Sequence, residues 1–128
     1  MDGPARHEAL QRLFELSTDL LAVCDREGRL THVNPAWRSA LGWERDDLDG
    51  RTFLELVHGA DREAARGELR RALEPGTPVR FEVRYATADG GWRWVLWSTS
   101  RDGDDWYAVG KDITERKERE DLALNDPL

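Results

Sequence analysis

One cysteine, Cys24, stands in a chain of 128 residues, so no intramolecular disulfide can form and no cysteine cluster can hold a metal. Histidine is nearly as scarce: His7, His32 and His58 lack partners at metal-ligand spacing. No apolar run approaches a membrane span, and the N-terminus lacks the apolar core of a signal peptide. A cytoplasmic domain without membrane contact is expected. Positive charge is the minority sign, with a formal net charge of -7, and the arginines alternate with acids, as in Arg62-Glu63 and Arg116-Lys117-Glu118. Phosphate neutralisation needs clustered Lys and Arg, so no nucleic-acid partner is expected.

Catalytic patterns are missing as well. There is no Ser/His/Asp, Cys/His or phosphate-loop arrangement, and Gly50 and Gly59 read as turn glycines outside any Gly-x-Gly-x-x-Gly run. The neighbouring acids Asp46-Asp47 and Asp104-Asp105 fall in loops, where such pairs more often solvate a surface or cap a helix than transfer protons. The chain is expected to be non-catalytic.

What is present suits one thin domain. The length allows a single core, and a charged fraction of 35% beside a hydrophobic fraction of 39% fits a single sheet with much surface rather than a disordered tail. Residues 7–17 read as an amphipathic helix with Leu10, Leu13, Phe14 and Ser17 on one stripe. Leu20–Cys24 and 29–33 read as strands joined by the turn Asp25-Arg26-Glu27-Gly28. Asn34-Pro35 reads as a cap and first helical position, and Gly42 as the stop. Single turns are expected over 44–48 and 53–57. Asp61 then reads as the cap of a longer helix with Ala65, Leu69, Ala72 and Leu73 on one face, ended by Pro75-Gly76. Strands over 79–85, 92–99 and 105–111, with turns at Asp89-Gly90 and Asp102-Gly103, predict an antiparallel meander. A last helix is expected from Asp112.

This order, with these motifs at these places, resembles the PAS domain family over residues 7–117. The motifs are Ser17-Thr18-Asp19-Leu20-Leu21, Asp25-x-x-Gly28, Val33-Asn34-Pro35-Ala36-Trp37, Leu41-Gly42-Trp43 and Asp47-Leu48-x-Gly50, then Arg93-Trp94 and Asp112-Ile113-Thr114-Glu115-Arg116-Lys117. Val57-His58-Gly59-Ala60-Asp61 departs from the family, which usually carries Pro and an acid where Gly59 and Ala60 stand. The resemblance implies an α+β fold: a five-stranded antiparallel sheet in the order 2-1-5-4-3, short helices on one face, an N-terminal cap helix and a C-terminal signalling helix. Its segments would be a cap helix over 1–17, a core over 18–111, and a signalling helix with the start of a linker over 112–128.

The family often keeps a cofactor or metabolite between sheet and helices. A flavin photosensor needs a cysteine on a helix beside the flavin, but Cys24 is on the first strand and no Asn-Cys-Arg run exists. A haem sensor usually takes an axial His from the long helix after Asp61, which has none. No cofactor is therefore expected, while an unidentified small molecule stays open. Alternation places Ala22, Cys24, Val33, Phe81, Val83, Tyr85, Val95, Trp97, Thr99, Trp106, Ala108 and Gly110 on the helix-facing side, with Trp37 and Leu41 closing it. From these the candidate cavity lining is Cys24, Val33, Trp37, Leu41, Phe81, Tyr85, Val95, Trp97, Trp106 and Ala108. Such a wall could grip a flat apolar ligand; equally, the rings could fill the space themselves.

The opposite side is apolar too: Leu21, Val23, Trp94, Leu96, Tyr107 and Val109. A face of that kind needs a cover, either a second subunit or the chain's own helix. With Leu10, Leu13 and Phe14 of the N-terminal helix it forms the expected face of a parallel homodimer. Asp112 to Glu115 reads as an Asp-x-x-Glu capping box, and Asp112, Ile113, Thr114 and Glu115 are the expected relay into the last helix. Finally, Leu122-Ala123-Leu124-x-Asp126-Pro127-Leu128 resembles the start of a diguanylate cyclase (GGDEF) domain, which makes cyclic di-GMP. A histidine kinase would instead be expected to show a His-Glu-Leu-Arg run after a longer helix. The expectation is a regulatory piece of a larger cyclase.

Overall fold

The computed structural model describes residues 3–73 and 77–125. Five strands, β1 Leu20–Cys24, β2 Leu30–Val33, β3 Val79–Ala86, β4 Trp92–Asp102 and β5 Asp105–Asp112, form one antiparallel sheet in the order β2-β1-β5-β4-β3. A helix α1 Gly3–Leu16 precedes it, and α5 Thr114–Asn125 follows. Between β2 and β3 run α2 Ala36–Leu41, α3 Arg45–Leu48, a 3-10 turn Leu54–Leu56 and α4 Gly59–Arg71. The strand reached from α1 and the strand leading to α5 are neighbours, paired from Leu20↔Gly110 to Cys24↔Trp106.

Alternation decides the pleat. Val79, Phe81, Val83 and Tyr85 of β3 are buried while Arg80 and Glu82 are exposed. β4 runs to Asp102, past the expected end at 99, because the β4–β5 hairpin closes tightly: Asp102 faces Asp105 across Gly103 (φ 63) and Asp104. In the middle row of the sheet Leu20, Gly110, Trp97 and Phe81 lie side by side. A Cβ on Gly110 would stand 2.6 Å from the Trp97 ring. Glycine is required there, because the indole lies on bare backbone.

Two expected caps take other roles and a third is only half made. Asn34 does not cap α2, which is entered through Pro35 without a side-chain bond. Its carboxamide, 2% exposed, instead accepts from Leu21 N–H (2.9 Å) and donates to the carbonyls of Asp19 (2.9 Å) and Phe14 (3.1 Å). One buried amide thus satisfies a carbonyl in the last turn of α1, which has few helical partners, and ties that helix to β1. Asp61 does not cap α4; His58 does, its Nδ1 accepting from Ala60 N–H at 3.1 Å. Gly59 therefore opens α4 rather than lying in a turn, and Asp61 is free for a partner on β3. The third case, Asp112, belongs to the exit hinge below.

The stop expected at Pro75-Gly76 lies outside the described residues. On the expected face of α4, Ala65 and Ala72 are buried, whereas Leu73 is 48% exposed. The stripe of α1 ends at Leu16, and Leu10 and Leu13 are 59% and 63% exposed, with Phe14 half-buried.

Replacing Asn34 by Leu removes the acceptor of the Leu21 amide and the donor to the carbonyls of Phe14, Ser17 and Asp19. The expected cost is about 2–3 kcal/mol of unfolding free energy, measured by urea titration, with α1 released to proteolysis near Ser17. An unchanged midpoint would remove Asn34 from this role.

Candidate functional site

The space between sheet and helices divides into a filled half and an open half. In the filled half the Trp97 ring meets Phe53 at a centroid distance of 4.7 Å, Tyr85 at 5.0 Å and Trp37 at 5.8 Å. All four rings are buried. Tyr85 Oη donates to the Phe53 carbonyl (2.9 Å) and Trp37 Nε1 to the Leu21 carbonyl (3.1 Å), so both polar tips are satisfied. The residues present do not fit a flavin or haem there: the four rings occupy the space such a planar group would need.

The open half is a cavity of about 400 Å³ under the second half of α4. Its floor is Cys24, Thr99, Trp106 and Ala108; its roof is Arg66, Leu69, Arg70 and Leu73; Thr52, Phe53 and Leu54 form the back and 26–28 the rim. Of the lining expected from sequence, Cys24, Trp106 and Ala108 meet this open space. Trp37, Phe81, Tyr85, Val95 and Trp97 do not, because they are packed into the filled core. Nor do Val33 and Leu41: both are buried, Val33 beside Leu30 and Leu48 and Leu41 at a notch with Ala88. Phe53 and the α4 side chains escape strand alternation because they arrive from helices and turns. Burial, with Asp25 adding to it, pushes the Cys24 thiol up to about 12, so Cys24 is a neutral wall residue.

The exit hinge is built at the junction of β4, β5 and α5. Ile113 N–H donates to the Trp94 carbonyl (2.8 Å), and Trp94 N–H donates to Thr114 Oγ1 (2.9 Å). Ile113 and Thr114 are both buried. Asp112 Oδ1 accepts from Thr114 N–H and Oδ2 from Arg93 Nε, each at 2.9 Å. The expected capping box is therefore half made: β5 includes Asp112, α5 starts at Thr114, and Glu115 is exposed with no bond back to Asp112 among the described residues. The strand claims the Asp112 backbone by pairing it with Val95. Partial burial alone would push the Asp112 carboxyl up, but hydrogen bonding to Thr114 and then to Arg93 holds it below the usual carboxylate range.

Beyond the hinge, α5 is held against β3 and β4. Glu82 takes Lys117 Nζ at 2.8 Å and also Arg116. Lys117 Nζ lies 4.6 Å from the Trp94 ring centroid, and the Arg84 guanidinium lies 5.4 Å from it. Arg84 in turn grips Asp61 of α4 through two bonds of 2.9 and 2.7 Å. Sequence reading missed Glu82, Arg84 and Asp61 as a group; the polar side of β3 was its only signal.

On the outer face Leu21, Val23, Trp94 and Leu96 are half-buried, and Tyr107 and Val109 are 44% and 43% exposed. α1 borders part of this face: His7, Leu10, Gln11 and Phe14 share a groove with Val23 and Tyr107. His32 is exposed beside Thr31, and the His58 ring lies 4.5 Å from that of Trp92. Among the described residues no cluster of His, Cys, Asp or Glu could hold a metal ion, and no helix is long and apolar enough to cross a membrane.

Residues 14–118 match the family described as PAS fold, and the chain belongs to that family. Sporulation kinase C of Bacillus subtilis is 27% identical over 94% of this chain, and the uncharacterized protein y4lL of Sinorhizobium fredii is 26% identical over 82%. The chain spans 30% and 13% of those two proteins' lengths. A solved domain of the sensory box sensor histidine kinase/response regulator from Geobacter sulfurreducens superposes with a TM-score of 0.73 at 30% identity, covering 84% of this chain and 94% of that one. The chain is thus a PAS sensory domain of the kind found in signalling proteins, a class that is generally non-catalytic.

Three carboxylates of the hinge region are held low: Asp61 by hydrogen bonding to Arg84, Glu82 by Lys117 and then Arg116, and Asp112 as above. A depressed folded value means stability that is complete above the unfolded value of about 4 and lost as pH falls through the folded one. Melting temperature should therefore fall steeply below about pH 4. Asp61→Asn should lower stability at neutral pH by about 1–2 kcal/mol and flatten this acid limb. A variant that keeps the wild-type acid limb would show that the Asp61–Arg84 pair does not carry it.

Proposed function

We propose that this domain pairs with a second copy and relays a signal through α5 to an output domain that follows it in the parent chain. The observation that carries the relay is the hinge. Asp112, Ile113 and Thr114 bind the start of α5 to Arg93 and Trp94 of β4 through three hydrogen bonds, and Asp112 also accepts from Thr114 N–H, so a shift of β4 against β5 is transmitted to the helix directly. Glu115, exposed, takes no part in the bonding that supports this role.

What supports pairing is uncovered apolar surface: Leu10 and Leu13 on α1, Tyr107 and Val109 on β5, continuous with Phe14, Leu21, Val23, Trp94 and Leu96. Patches of this kind are costly in water unless covered. A parallel homodimer places two copies of α5 side by side, which suits an output domain that acts as a pair. A second reading, a sensor that holds a small apolar or aromatic molecule, is favoured by the open cavity under α4.

For the output we propose a diguanylate cyclase, on the resemblance of 122–128 to the start of that domain. A kinase output is the competing assignment, favoured by the likeness to sporulation kinase C.

Light scattering should give two chains at high micromolar concentration; a mass of one chain from micromolar to millimolar would sink the dimer. In the parent chain, Asp112→Ala should leave basal cyclic di-GMP synthesis intact and abolish its response to stimulus. Unchanged regulation would overturn the hinge role, and autophosphorylation from ATP in place of nucleotide cyclisation would overturn the cyclase output.

A further inference from the structure

The cavity under α4 has a chemistry of its own. Its walls are apolar side chains and rings, chiefly Leu54, Leu69, Trp106 and Ala108. At its floor Thr99 is 3% exposed, and its Oγ1 has no hydrogen-bond partner among the described residues. A buried hydroxyl left unpaired is unfavourable, so the floor of the site carries a polar demand that a ligand atom reaching it would satisfy. A volume of about 400 Å³ falls within the span of roughly 300–1,000 Å³ typical of small-molecule sites.

The mouth is cationic in a chain whose net charge is -7. Arg66 and Arg70 stand one helical turn apart on α4, with Arg26 and Glu27 on the facing rim. Glu27 is engaged by Arg29 and Arg66 by Glu63, while Arg70 and Arg26 make no ion pair among the described residues. Two arginines at i and i+4 share one helix face and can present guanidinium donors to a single carboxylate.

We infer that this cavity binds a small amphipathic carboxylate, its acid at Arg66 and Arg70, its apolar body along Leu69 and Trp106, and a polar atom at Thr99. The assignment rests on the ligand-holding reading and adds the class of ligand. It concerns the α4 end of the fold, not the centre, which Trp37, Phe53, Tyr85 and Trp97 fill.

The test compares phenylbutyrate with phenylbutyramide, alike in shape and differing in charge, by titration monitored through the N–H resonances of the whole chain. The acid should shift Trp106, Thr99 and Leu69 and bind about tenfold or more tightly than the amide. The Arg66→Gln/Arg70→Gln variant changes exposed or half-exposed side chains that leave the core untouched. It should erase the acid's advantage while leaving amide binding unchanged; Thr99→Val should weaken both probes. If acid and amide bind equally at these residues, the carboxylate assignment falls while the ligand-holding reading stands. If neither probe shifts them, the cavity is not a ligand site and both fall. Shifts confined to the groove beside α1 would overturn the assignment in the same way.

Discussion

The Trp97 indole lying on the bare backbone of Gly110 is the constraint from which the interior follows. With no Cβ beneath it, the ring sinks onto the sheet at the middle of the row from Leu20 to Phe81, and Trp37, Phe53 and Tyr85 close around it. Four rings packed around Trp97 and Tyr85 leave no room for a planar group at the centre. They also fix how far α2 and the Leu54–Leu56 turn stand from the sheet. α4 spans beyond the cluster, and its second half roofs the space the rings do not reach. Filled centre and open end are two consequences of one packing choice.

The same contact bears on the exit. Gly110 lies two residues before Asp112 on β5, and Trp97 lies two residues after Val95, the partner of Asp112, on β4. The strand register that seats the indole is the register that sets where β5 ends. Because the backbone of Asp112 belongs to the strand, its carboxylate caps Thr114 from outside the helix and still reaches Arg93. A local capping box would have bound helix to strand end alone. The arrangement found binds the helix to two strands.

Fold and strand faces were legible because a pleat of period two and turns at Gly28, Gly90 and Gly103 leave few alternatives. Two polar residues were misread, and a third read in part, for a common reason. Asn34, Asp61 and Asp112 each stand where local chemistry favours a cap, but Asn34 and Asp61 bond the α1 carbonyls and Arg84 instead, and Asp112 caps Thr114 while also holding Arg93. Which bond wins depends on what the fold brings near, and spacing in the chain does not encode that. The cavity was misplaced similarly. Alternation names the residues facing inward, but whether rings leave space is a question of volume and rotamer, and Phe53 lay outside every periodic pattern.

Those three residues also say how the helices are held. α1 is tied through Asn34 to β1, α4 through Asp61 to Arg84 on β3, and α5 through Asp112 to Arg93 on β4. Each helix is anchored to the sheet by polar contacts, so the sheet is the common reference for all three. Arg84, which takes Asp61, also lies over Trp94, and Lys117 of α5 lies over the same ring. The partner of α4 on β3 and a cation of α5 therefore lie over the same tryptophan. In the proposed relay, a shift of β4 against β5 reaches α5 through the bonds that Trp94 makes with Ile113 and Thr114.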